Sequence, residues 1–343
     1  MRALSVLFAC FATAAAADPL CGVAPDSIAK ARFEANDMPP PAYNPNPALP
    51  AAGTPVTLAI TYPDNGITVG TASIQVFGSF SGPPNTGVSA AGVAALQAGT
   101  QFLSRAIPLE PGSNTITVRV TSAAGVTQSL SRTVIFDSGQ APEAELKSTY
   151  DGGYAPFSMR FQVALRAGLN NPLIERIRID YDGNGSFDTD TTDPTTRLSH
   201  RFAATGVYLS SVELTLNDGD PMTPPVLVNA THRVIGEDLD VTRATLCSAF
   251  ESFRAKLVAQ QYTDSLQSFN ADVRPDYVSF IEGLGANGAT MAGRLGEIVD
   301  GTIGQDFAQL VLAKPREGQP GRFRSSPLQF SRDGDGVWRI SAL

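Results

Sequence analysis

The chain is poor in the side chains that carry most enzymatic chemistry, with two histidines, three cysteines and one tryptophan among 343 residues. His200 and His232 stand in separate segments with no ligand spacing around them, so no histidine–cysteine metal motif is expected. There is no Gly-x-Ser-x-Gly elbow and no His-Glu-x-x-His pattern, which removes the hydrolases most easily read from sequence. Beyond the first residues no apolar run approaches the ~20 positions that cross a bilayer. Positive charge is scarce as well. Lys and Arg number 25 against 33 Asp and Glu, the net charge is -8, and no Lys/Arg cluster is evident. A general nucleic-acid binder is therefore not expected, because phosphate neutralisation needs clustered cations.

What is present begins with a leader-like N-terminus. Arg2 precedes an apolar run from Ala3 to Ala17 that ends in Ala15-Ala16-Ala17 before Asp18. A charged start, an apolar stretch and small residues at the cut predict a removable signal peptide over residues 1–17. Cys21 follows Asp18-Pro19-Leu20 rather than small residues, so lipidation is not expected. The mature chain would then be periplasmic or extracellular and would not span the membrane. It would keep Cys21 and Cys247 where disulfides persist, and three outcomes are open: one bridge closing a very long loop, two buried thiols, or pairing with another chain.

Residues 18–54 read as an arm. A short helix is expected over Asp26–Ala35, followed by Met38-Pro39-Pro40-Pro41, Pro45, Pro47 and Pro50, a composition that favours an extended tether. Residues 55–138 carry short β-rich runs at close intervals. Ile116, Val118 and Val120 alternate with polar neighbours, the period of a strand with one buried face. Runs are expected at Val56–Ile60, Ala72–Gly78, Phe102–Leu109 and Asn114–Val120. The elements Pro63-x-x-Gly66, Ile74-x-Val76-x-Gly78 and Pro111-Gly112-x-Asn114-x-Ile116-x-Val118 resemble a bacterial immunoglobulin-like domain, which implies a spacer or adhesion module without catalytic residues.

Residues 141–237 open with Ala155-Pro156-Phe157 and close with a strand from Gly206-Val207-Tyr208 to Asp218-Gly219, around a central Asp/Gly loop. This resembles a divergent PKD-type sandwich in which Ile179, not tryptophan, precedes Asp180. Residues 240–343 change character. Leu246, Phe250, Phe253, Leu257 and Val258 recur at helical spacing within Val241–Gln260, and helices are also expected at Asp276–Leu284 and Met291–Ile298. Strands follow at Phe307–Ala313, Gly321–Ser326, Leu328–Arg332 and Val337–Ala342. This order, with the ending Phe330-x-x-Asp333-x-Asp335-Gly336-x-Trp338-Arg339-Ile340, resembles an NTF2-like α+β cone. The expected fold class is thus multi-domain and mainly β, two Ig/PKD-like antiparallel β-sandwiches followed by an α+β unit.

The sharpest chemical signal is Asp180-Tyr181-Asp182-Gly183-Asn184-Gly185-Ser186-Phe187-Asp188. Asp180, Asp182, Asn184 and Asp188 put oxygen-bearing side chains at loop positions 1, 3, 5 and 9, Gly185 stands at position 6, and Ser186 offers a carbonyl. Calcium takes such a fan of oxygens, yet position 12 is Thr191 rather than glutamate, so Asp190 or Asp193 would have to complete the set. The competing reading is an ion-free turn in which Asx turns satisfy the backbone. Asp333-Gly334-Asp335-Gly336 and Asn217-Asp218-Gly219-Asp220 read as turns.

No catalytic constellation is expected. Tyr262, Tyr277 and Asp276 are the candidates for proton transfer inside a cone-shaped pocket, and packing or capping is the simpler role for each. Trp338 is expected to anchor the closing strand, with a sugar-stacking platform as the functional alternative. The sequence points to an exported, non-catalytic binding protein whose partner is an envelope or extracellular protein or glycan. The alternative is an enzyme or enzyme accessory with a small-molecule pocket in the last unit, and a third is a structural spacer.

Overall fold

A computed structural model describes Cys21 and residues 54–170, 172–316 and 318–343. The expected signal peptide 1–17, the helix Asp26–Ala35 and the proline-rich arm lie outside the described residues. Among those described, no helix is long and apolar enough to cross a membrane.

The first unit is a sandwich of two sheets. One runs in the order Thr57–Tyr62, Phe77–Ser81, Gln101–Leu103, Leu96–Ala98, and the other Ile67–Val69, Thr127–Phe136, Gly112–Thr121, Gly87–Ala90, Val93–Ala94. In Gly112–Thr121 the alternation acts as read: Ile116, Val118 and Val120 are buried while Thr117 and Arg119 are exposed. A slip of one residue against Thr127–Phe136 would reverse every side chain, so the buried face fixes the register Val118↔Leu130. The run expected over Ala72–Gly78 is two strands. Ser73–Ile74 pairs with Ile107–Pro108, whereas Phe77–Ser81 joins the four-stranded sheet. The run Phe102–Leu109 divides at the same place, because a chain that serves two sheets must leave one to enter the other.

The second unit repeats the plan, with Ala144–Ser148, Phe157–Leu165 and Ser199–Phe202 facing Gly152–Tyr154, Val226–Glu237, Gly206–Asn217, Leu173–Asp180 and Thr189–Thr191. Each sandwich departs from pure antiparallel pairing in the same way. A three-residue strand, Ile67–Val69 or Gly152–Tyr154, crosses over and runs parallel to the unit's last long strand.

The third unit packs helices on one antiparallel sheet, Glu297–Ile303, Phe307–Arg316, Gln319–Arg332, Trp338–Ala342. Its long helix, Leu239–Val258, starts where Asp238 accepts from Asp240 N and Val241 N at 2.9 and 3.1 Å, satisfying donors that the helix leaves free. Leu246, Phe250, Phe253 and Leu257 form its buried face against Leu310, Leu312, Leu328, Phe330 and Ile340. Shorter helices span Tyr262–Leu266, Arg274–Glu282 and Gly288–Leu295. The helix expected to reach Ile298 stops at Leu295, and Ile298 belongs to the edge strand Glu297–Ile303. The two strands expected on either side of Pro327 are one. There the strand has a neighbour on one side only, since Trp338–Ala342 pairs with residues 329–332, so the missing N–H breaks no ladder on the open side.

Each unit has its own buried cluster, and the clusters do not stand apart. Leu96, Ala98 and Leu103 of the first unit share a small apolar core with Ile235 of the second. The first and third units meet through the Asn85 side chain and through a close backbone approach at Gly87. Asn85 donates to Trp338 O and accepts from Trp338 N, both at 2.9 Å. A Cβ at Gly87 would stand 2.2 Å from the carbonyl carbon of Gly336, so only glycine permits this approach.

Candidate functional site

The Asp/Gly loop brings some of its oxygens together. Asp180, Asp182 and Asp188 place ligand atoms within 4.8 Å of one another. Those oxygens are already in use. Gly183 N and Asn184 N donate to Asp180 Oδ1 at 2.8 and 3.2 Å, Gly185 N donates to Asp180 Oδ2 at 2.7 Å, and Tyr181 N donates to Asp188 Oδ2 at 2.7 Å. Asn184 Oδ1 accepts from Ser186 N at 2.7 Å. The two residues expected to complete the set do not join it. Asp190 is held by Arg176 on the neighbouring strand, and Asp193 accepts from Thr195 N and Oγ. Three carboxylates fall short of the six to eight oxygens that calcium collects, so the residues fit only a weak, water-completed ion. The same bonds are what an ion-free Asx turn requires.

Between the two sandwiches lies a cleft of ≈ 650 Å³ lined by Tyr62 and Gln75 on one side and by Ser148, Asp151, His232 and Arg233 on the other. Gln75 Nε2 donates to Asp151 Oδ1 at 2.9 Å, and the Arg233 guanidinium lies 4.2 Å from the centre of the Tyr62 ring. No local pattern joins Ser148 to His232, 84 residues away, yet Ser148 Oγ and His232 Nε2 are 2.8 Å apart. Ser148 donates its single proton to Tyr150 O, so the imidazole N–H donates to Ser148 Oγ instead of receiving from it. Burial pushes the His232 pKa below its ordinary value, with Asp151 opposing and Arg233 assisting. Asp151 is bonded to Gln75 and not to His232 in any hydrogen bond found among the described residues. His200 stacks on Tyr181 at 4.9 Å and meets Phe202 edge-on at 4.8 Å, as a packing residue.

The candidates for a pocket in the last unit do not converge. Tyr262 donates to Gly285 O, Tyr277 accepts from Leu343 N at 3.1 Å while stacking on Phe269 at 4.2 Å, and Asp276 is exposed in the first turn of Arg274–Glu282. Trp338 is 5% exposed, with the Arg332 guanidinium 5.0 Å from its ring, which leaves no open face for a sugar. Asp333 and Asp335 bond Arg339, so this turn holds a cation of its own.

All three units meet at one buried ion pair that the sequence did not announce. Glu237, the last residue of the second unit's final strand, accepts from Arg332 Nη2 of the third unit at 3.0 Å, and the two side chains are 1% and 4% exposed. Gln97 N of the first unit and Gln305 Nε2 of the third complete its shell at 3.2 and 3.0 Å. Arg332 Nη1 turns to Ala95 O at 3.3 Å. Beside them Tyr154 donates to Gly304 O at 3.0 Å, and burial pushes its pKa up to about 12, so it remains a donor. Cys21 and Cys247 are joined, their Cα atoms 5.5 Å apart.

No family model matches this chain, and no curated protein does. Solved structures that align to it include fibronectin(III)-like modules of Clostridium thermocellum CbhA, at 12% identity and TM-score 0.19, over 54% of this chain and 96% of that one. Dimeric latent PorU of Porphyromonas gingivalis aligns at 12% identity and TM-score 0.28, over 54% of this chain and 20% of that one. The Ig1-2 module of the Drosophila receptor tyrosine phosphatase DLAR aligns at 12% identity and TM-score 0.22, over 52% and 98%. These values are too low for the neighbours' roles to bear on this chain.

Proposed function

We propose that the chain is an exported, non-catalytic binding protein of the periplasm or cell surface. Its two sandwiches hold an NTF2-like α+β unit in a fixed pose toward an envelope or extracellular partner. The observation that carries this reading is the junction at Glu237. A buried carboxylate that draws on all three units sets their mutual orientation, which a display scaffold needs and a string of independent beads would lack. Buried Phe250, Phe253, Phe269 and Phe330 occupy the interior of the last unit, as scaffolding requires. The reversed Ser148–His232 bond speaks against a hydrolase in the cleft. Calcium enters as a weak ligand of the Asp180–Asp188 loop that stiffens one edge of the second sandwich.

The test uses the full chain expressed with its leader. A mature mass beginning at Asp18, recovery outside the cytoplasm, and small-angle scattering of one compact particle are expected. A retained leader, or scattering from units that move independently, would refute the reading. Covalent labelling of Ser148 by a fluorophosphonate would replace it with the enzyme alternative.

A further inference from the structure

The sequence shows no evident Lys/Arg cluster, and the register of the last sheet corrects that view. The hairpin formed by Phe307–Arg316 and Gln319–Arg332 runs past the buried core. Ala308, Leu310 and Leu312 are buried against the helices, but from Pro315 outward the described side chains are largely exposed. Between residues 314 and 324 it carries Lys314, Arg316, Arg322 and Arg324 against one carboxylate, Glu317, in a chain whose net charge is -8. Lys314 and Arg324 are direct cross-strand partners. Like charges so placed, about 5 Å apart, destabilise the pair.

Elsewhere several cations are spent internally: Arg105, Arg176, Arg243, Arg254, Arg332 and Arg339 each reach a carboxylate. None of the four hairpin cations has an ion-pair partner among the described residues. What sets the arm apart is clustering: four cations fall within eleven residues, and a lysine is set directly against an arginine on exposed strands, which leaves that charge for something outside the chain.

We propose that this hairpin binds an acidic polysaccharide, a linear chain of carboxylated sugars lying along the arm. The form of the arm selects the partner. An anionic bilayer is a plane, and bringing the arm to it would bring up the acidic remainder of the molecule as well, which such a surface repels. A linear polymer can touch the arm alone. Single-stranded nucleic acid is linear too, but its binding relies on aromatic platforms. The one aromatic between residues 314 and 324, Phe323, pairs with Pro315 and faces away from Lys314 and Arg324. Lys314 and Arg324 lie about 5 Å apart across the strands, and Arg316 and Arg322 follow beyond the register shift at Pro315, a short run of positive charge along which the carboxylates of a linear polymer can lie. This inference rests on the exported reading only in that export places the arm among such glycans.

The experiment titrates the full mature chain with fluorescent oligogalacturonate at about 50 and about 200 mM NaCl, with neutral dextran, oligothymidylate and phosphatidylglycerol vesicles as separate arms. Binding to oligogalacturonate is expected to weaken about tenfold or more at the higher salt. It should weaken at least about tenfold in Lys314→Glu and in Arg324→Glu, with neither variant melting lower than the wild type, since each turns the like-charge pair into an opposite-charge one. Unchanged affinity in both variants would overturn the proposal. So would equal or tighter binding of oligothymidylate or vesicles that the same variants abolish. Loss of the glycan interaction from a chain still recovered outside the cytoplasm would sink the arm and spare the broader reading.

Discussion

The strand Gln319–Arg332 carries arginine at both ends and treats the two ends oppositely. At one end Arg332 is 4% exposed, paired to Glu237, bonded to Ala95 O and laid over Trp338. At the other, Arg322 and Arg324 are exposed, and Arg324 faces Lys314. Guanidinium chemistry is the same in both places, so the difference lies in what the neighbouring units bring. Where three units converge, burial makes an unpaired charge intolerable and the fold supplies a carboxylate. Where the sheet outruns its neighbours, water screens the repulsion and the charge persists. In this strand the buried cation serves the architecture, whereas the exposed ones have no ion-pair partner among the described residues.

The comparison breaks most visibly at its buried end. Glu237→Ala leaves Arg332 charged, buried and without its carboxylate, and we expect a loss of about 3–5 kcal/mol in urea unfolding. A second transition should emerge as the units uncouple. Replacing both partners together, Glu237→Leu with Arg332→Met, should recover most of that loss, because an apolar pair of similar volume leaves no orphaned charge. If the single substitution costs less than about 1 kcal/mol, the junction does not organise the three units.

The Asp180–Asp188 loop is an intermediate case, with carboxylates spent on their own backbone rather than on a partner or on solvent. If calcium shares them, raising calcium to ten times its Kd should stabilise the chain by about 1.4 kcal/mol. The rise should be absent in Asp182→Ala. A melting temperature indifferent to millimolar calcium would leave the loop as a turn.

His232 is a titratable group whose charged form is disfavoured by burial. Its folded pKa is lowered from 6.5 by burial, so the native state binds its proton less readily than the unfolded chain does. The stability this contributes is present above the unfolded value and is lost as pH falls through the window between 6.5 and the lowered value. The loss cannot exceed about 1.4 kcal/mol per pH unit for one proton. His232→Gln should flatten the slope of stability against pH below about 6.5. An unchanged slope would show that the ring is charged or freely solvated in the folded protein.

Periodicity made the sandwiches and the long helix legible. Ile116, Val118 and Val120, and Leu246, Phe250 and Phe253, report burial within a single element. The misread segments are those whose shape depends on a distant neighbour: Ala72–Gly78, which serves two sheets, and Pro327, harmless only because the adjacent strand ends first. For the sites the same limit applied more strongly. Asp180, Asp182 and Asp188 are close in sequence and could be grouped in advance, whereas Gln97, Glu237, Gln305 and Arg332 come from three units with no local pattern. The hairpin cations were legible as four residues within eleven, but their significance needed the register that sets Lys314 against Arg324.

The smallest expected effect is on the exposed end of the strand, and its sign is what matters. Lys314→Glu replaces a like-charge cross-strand pair with an opposite-charge one, and such pairs shift stability by about 0.2–1 kcal/mol. Most surface substitutions are neutral or destabilising, so a gain here, shrinking with added salt, would show that the native hairpin holds repulsion the fold has no structural need for. The matching change at the other end, Arg332→Glu, would set two carboxylates together in the junction and should be far more damaging than Glu237→Ala. Melting curves for the two substitutions at low and high salt would therefore separate the ends of one strand by sign. If Lys314→Glu proved destabilising instead, Lys314 would have a carboxylate partner in the folded protein and the distinction drawn between the two ends would collapse.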